Sequence, residues 1–237
     1  MMIEGLPFYV TAVFFLTTIA TIWLLLIACR PAGRDSLAGR IVFFAIPFWL
    51  VTTGFLAATG FYREFTAFPP RVPAFAVFPA VAFIILLFLF FRRSFVEKLS
   101  LKALTLLHIV RVPVELVLLW LYTAGQVPRQ MTFEGWNFDI LSGLTALIVY
   151  FFGFRGGRVN RPLLIIWNAI ALLLLFNIVT IAVVSFPGPA QRIGFDQPNI
   201  GVTYLPFIWL PALIVPIVLF AHLSSLWQLI FASKPQD

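Results

Sequence analysis

Apolar residues run along this chain in long blocks separated by short polar gaps. Seven blocks, at about 6–29, 41–60, 73–91, 101–122, 138–154, 162–186 and 204–231, hold most of the apolar residues, and each comes near the roughly 20 apolar residues needed to cross a ~30 Å hydrocarbon layer. The fifth is the shortest. The gaps are punctuated by Arg, Gly, Pro or Asn and leave no room for a soluble domain. The pattern therefore predicts an all-α fold: a polytopic membrane helix bundle of seven transmembrane helices, with residues 1–237 forming one integral membrane domain.

Composition agrees. Hydrophobic residues make up 62% of the chain and charged residues 11%, against about 25% charged in an ordinary soluble domain. The 28 phenylalanines and seven tryptophans supply bulk for surfaces that face lipid or other helices, and aromatic rings also favour the headgroup level. The net charge of +7 comes without any basic run, which argues against nucleic acid as a partner. The lone cysteine, Cys29, excludes an internal disulfide. "LIAC" ends on it and resembles a lipoprotein cleavage box. Glu4 stands where a basic leader region would be, so the first block is read as a spanning helix.

The charges then orient the chain, because short cytoplasmic loops accumulate Lys and Arg. Arg30, Arg34, Arg40, Arg92, Arg93, Lys98, Lys102, Arg155, Arg158, Arg161 and Lys234 fall on one side, eleven in all, and only Arg63, Arg71, Arg129 and Arg192 on the other. This places the N-terminus outside and the C-terminus in the cytoplasm, as in a bacterial-type inner membrane. The two longer outer gaps, "GQVPRQMTFEGWNFD" and "PGPAQRIGFDQPNIGVTY", read as folded caps over the helix ends. Asn137 or Asp139 is placed to cap the fifth helix.

The fourth block contains "HIVRVPVELV". At ~100° per residue His108, Arg111 and Glu115 share an arc of about 60°, which Thr105 and Tyr122 widen to about 120°. Ionisable groups near a bilayer centre turn inward and pair, so Arg111 and Glu115 are expected to form an ion pair. Pro113 cannot bond back to Ile109 and leaves an acceptor at the same level. His108 has the ordinary pKa of a proton carrier, ~6.5.

Other groups extend the site. Asn168 and Asn177 in the sixth block lie about 180° apart, and Asn177, at the depth of Glu115, is the expected contributor. Glu134 and Asp139 are placed at the outer mouth. His222, in the seventh block, should reach the depth of His108, and two histidines on different helices can ligate haem iron. No metal site is otherwise expected, and no cofactor is assigned.

Families of similar span number do not fit. The seventh block lacks the lysine that a microbial rhodopsin needs for its retinal, and two histidines are too few for the zinc of ceramidase-like hydrolases. No P-loop, GxSxG or HExxH occurs, so an enzyme is not the favoured class. The leading expectation is a membrane protein for small-ligand or proton-linked binding or transport, with a site made of His108, Arg111, Glu115, Tyr122 and Asn177. The alternatives are a signalling or assembly module with a purely structural ion pair, and a bis-His haem electron-transfer protein. The lipid bilayer is the surrounding partner, and small residues such as Gly143 and Ala146 permit close helix approach within a chain or in a homo-oligomer.

Overall fold

The structure, a computed structural model, describes residues 2–33 and 35–232; Arg34 and Lys234 of the charge argument lie outside the described residues. Among the described residues seven principal helices follow one another: α1 Phe8–Ala28, α2 Leu37–Ala58, α3 Pro73–Phe91, α4 Leu101–Thr123, α5 Ile140–Gly153, α6 Arg161–Val184 and α7 Leu210–Phe231. No strand occurs among the described residues. Six helices are long and apolar enough to cross a membrane, and α5, with 14 residues, is shorter. At 1.5 Å per residue α5 covers about 21 Å, some way below the ~30 Å hydrocarbon thickness.

Helices α4 and α7 form the centre. They are the most enclosed of the long helices; α4 packs on α1, α5 and α7, and α6 packs on α5 and α7. Loop contacts gather the chain at two ends. At the basic end Ser100 N donates to Ala28 O, Gln228 Nε2 donates to Val96 O and Leu99 O, and Arg161 Nη2 donates to Ala232 O. At the opposite end Gln197 Nε2 donates to Tyr122 O and Val127 O, tying the segment after α4 to the one after α6.

Proline shapes three helices, and aromatic donors repair what it removes. Pro216 has no N–H for the carbonyl of Ala212, four residues earlier, and Trp49 Nε1 of α2 donates to that carbonyl at 2.8 Å. Pro79 likewise frees Phe75 O, which accepts from Tyr62 Oη at 3.4 Å. Burial pushes the Tyr62 phenol up to about 12, so it remains a donor. Both α3 and α7 start with a wide π-turn, at Pro73–Val77 and Leu210–Ile214. The last helix thus begins at Leu210 and not near 204. Pro211 suits a first turn, where its missing N–H has no partner to lose, and it falls within that π-turn.

Pro113 acts on α4. The helix narrows to a 3-10 turn at His108–Val110 and resumes as α-helix from Arg111, directly before the residue that cannot donate to Ile109.

Candidate functional site

Arg111 lies near the middle of α4 and is 2% exposed. A guanidinium has only donors to offer, and the fold surrounds it with acceptors. Its Nε donates to Asp139 Oδ2 at 2.6 Å and its Nη2 to Asp139 Oδ1 and to Ala171 O of α6. Nη1 lies 3.1 Å from His222 Nε2 of α7. Since Arg111 can only donate, that nitrogen accepts, and the hydrogen of the neutral ring sits on Nδ1. Nδ1 faces Asn168 Oδ1 at 2.8 Å, and Asn168 Nδ2 donates to Leu164 O at 2.8 Å. A continuous chain of bonds therefore joins Asp139, Arg111, His222 and Asn168 across four segments.

Glu115, one turn further along α4 and 1% exposed, is held separately. Asn137 Nδ2 lies 2.7 Å from each Glu115 carboxylate oxygen and 2.9 Å from Met131 O, and Asn137 Oδ1 accepts from Asp139 N at 3.0 Å. Two residues of one connection, Asn137 and Asp139, thus dock on Arg111 and Glu115 of α4. Asp139 stands at the N-cap of α5, but its side chain makes no cap bond there; the bidentate pairing with Arg111 holds it instead. Neither residue caps the fifth helix in the expected way.

Close approach makes the docking feasible. A Cβ on Gly143 of α5 would lie 2.7 Å from Val112 Cγ2 and 2.9 Å from Val112 N, so only glycine lets α5 sit this near the backbone beside Arg111. Ala146, one turn on, is fully buried. These two small residues serve contacts inside the chain. In the connection itself Gly135 passes so near the Arg129 carbonyl that a Cβ has no room.

The expected ion pair is therefore corrected. Arg111 pairs with Asp139, not with Glu115, because the segment before α5 reaches down to α4 and offers a bidentate carboxylate. Asn177 is also corrected: its Nδ2 donates to Trp136 O at 2.8 Å, which ties α6 to the connection, while Asn168 is the asparagine in the network. Tyr122 is half-buried, and its hydroxyl has no hydrogen bond among the described residues; its carbonyl serves Gln197. Glu134 is exposed and stays apart from Asp139, which is 5% exposed.

The two histidines do meet. Their rings stack with centroids 3.9 Å apart and planes 23° apart, and Trp167 closes on His108 edge to face at 5.2 Å. Parallel imidazoles this close have no space for a porphyrin between them, and both His222 nitrogens are engaged. The haem reading therefore finds no geometry here. No group of three or more metal-ligating side chains occurs among the described residues. His108 is fully buried, and neither ring nitrogen has a hydrogen-bond partner among the described residues.

An apolar cleft of about 250 Å³ opens between α2, α3 and α7, lined by Trp49, Phe83, Pro216 and Phe220 among others, and it shares no residue with the polar network.

A family model described as "Domain of unknown function (DUF8737)" matches residues 69–230. The chain belongs to this family. The DUF8737 match begins just before α3 and takes in α3 to α7 almost entirely, so every member of the network from His108 to His222 falls within it. Helices α1 and α2 precede the match. No curated protein and no solved structure matches the chain.

Proposed function

We propose that this chain is a seven-span protein of a bacterial-type inner membrane, N-terminus outside, whose core holds an exchangeable proton used in proton-linked binding or movement of a small ligand. The observation that supports this reading is a charge count. Two carboxylates, Glu115 and Asp139, two imidazoles, His108 and His222, and one guanidinium, Arg111, all sit in the interior at 5% exposure or less. Asp139 is matched by Arg111. Glu115 faces a neutral amide. An unbalanced charge in such a place is expensive by several kcal/mol, and a proton on Glu115 or on His108, whose ring nitrogens have no hydrogen-bond partner among the described residues, balances the core. Intramembrane groups of this kind serve proton relays and ion paths in general.

Gain or loss of that proton changes how Glu115 holds Asn137, and so how residues 124–139 cover the core. That segment is then the gate between the site and the outer side. The short α5 completes the seventh crossing because the segment before it packs Met131, Thr132, Asn137 and Asp139 into the protein, the setting in which non-helical backbone is tolerated at membrane depth.

A second reading has its own support: the bonds of Arg111 form a closed set, as in a lock that fixes helix packing. Infrared difference spectra across the neutral pH range, taken on protein in bilayers, separate the two. The proton reading expects a carboxyl or imidazole protonation change that Glu115→Gln or His108→Gln removes. If the wild-type spectra show no such change, or if both variants keep it, the lock alone stands.

A further inference from the structure

Beyond the network, α7 carries a second line of buried polar side chains. His222, Ser224, Ser225 and Gln228 are all 0% exposed. Ser224 Oγ, Ser225 Oγ and Gln228 Oε1 have no hydrogen-bond partner among the described residues, and neither has either ring nitrogen of His108. Ser142 Oγ, on α5 where that helix meets the His108–Val110 turn, shares this condition. A buried donor or acceptor left unsatisfied costs about 1–3 kcal/mol, and native interiors meet such needs with bound water that makes two to four bonds. Several orphans along one helix interface mark a place for several waters.

Their spacing makes a track. Successive residues three apart on a helix lie about 4.5 Å apart along the axis, and His222, Ser225 and Gln228 follow that step. One water can bridge polar atoms separated by two hydrogen-bond lengths. At its His222 end the line meets α4, which packs on α7 and supplies His108. At the far end Gln228 Nε2 is fixed by Val96 O and Leu99 O of the α3–α4 connection. Glu97 lies between those two carbonyls in sequence. It is half-buried, accepts from Trp227 Nε1 at 3.1 Å, and stands 3.8 Å from Arg92. A carboxylate therefore sits at the surface end of the line, and His108, Arg111, His222, Glu115 and Asp139 are the ionisable groups at its inner end.

We infer that water carried by Ser225 and Gln228 forms a proton path from Glu97, at the basic end of the bundle, to His108 in the core. Glu97 collects the proton, the Gln228 and Ser225 side chains hold the waters that relay it, and the His108 ring receives it on one nitrogen while able to release one from the other. No bond other than O–H and N–H is made or broken. The path rests on the proton-holding reading above and adds the side from which the proton comes.

The test follows the protonation signal of the core after a rapid pH jump, again by infrared spectroscopy in bilayers. Ser225→Val, which removes the hydroxyl, and Gln228→Leu should leave the size of the signal unchanged and slow its rise roughly tenfold or more, because each lost relay adds to a barrier on which rate depends exponentially. Gln228 also ties down the α3–α4 connection, so Ser225→Val decides the matter if Gln228→Leu fails to fold. An unchanged rate with a full-sized signal overturns the path and leaves the proton-holding core intact. Absence of the signal in the wild-type protein overturns both.

Discussion

Arg111 shows how one side chain sets the terms for its neighbours. All of its bonding nitrogens are committed, to Asp139, His222 and Ala171 O, and it has no solvent to fall back on. Removing it leaves a buried carboxylate with no counter-charge, which costs about 3–5 kcal/mol. Arg111→Leu should therefore lose stability on that scale in a reversible unfolding titration in mixed micelles. The double variant Arg111→Leu/Asp139→Leu should recover a large part of the loss, since an apolar pair replaces an ion pair. If the two single losses simply add, the pairing with Asp139 is not what the energy reports. At this scale the sequence was half legible. The arc of His108, Arg111 and Glu115 could be read from helical spacing, because all three lie on one helix. The partners could not, because Asp139, Asn168 and His222 arrive from three other segments, and spacing along one helix says nothing about what faces it.

At the scale of the element, proline and its repair are the recurring device. Trp49 donates to the carbonyl that Pro216 frees, so two helices are joined by a bond that exists only because one of them is interrupted. Trp49→Phe leaves Ala212 O buried without a donor and should cost about 1–3 kcal/mol, seen as a lower melting temperature in detergent. Pro216→Ala restores a backbone N–H for the same carbonyl. In that background Trp49→Phe should cost less than half as much. Equal cost in both backgrounds would show that Trp49 contributes packing and not the bond. The positions of the prolines were plain in the sequence. The donor was not, since tryptophan in an apolar block reads as lipid contact. A similar blind spot hid the depth of Asn137 and Asp139. The signal was present in the fifth block, the shortest of the seven: a helix too short to cross must start inside, and polar residues just before it then reach the interior.

Over the whole molecule the remaining question is the number of crossings. Charge bias and apolar blocks together imply seven, and the weight rests on α5. Cysteine reporters settle this, because Cys29 is the single native cysteine and is buried. In a Cys29→Ala background, cysteines can replace Phe68 and Phe195, both strongly exposed at 95% and 71%, and Ser94 and Arg158, which are also exposed. A membrane-impermeant maleimide applied to intact cells should label positions 68 and 195, and should reach 94 and 158 only once the membrane is opened. The mirror-image pattern at all four positions would invert the orientation and keep seven spans. Labelling at 158 with silence at 195 would mean that α5 does not cross and that α6 and α7 run in the opposite sense. In that case the eleven-to-four bias of basic residues loses its meaning. With it goes the assignment of the basic end, where Glu97 sits, to the cytoplasm, so the side from which the core draws its proton stands or falls with the same four labels.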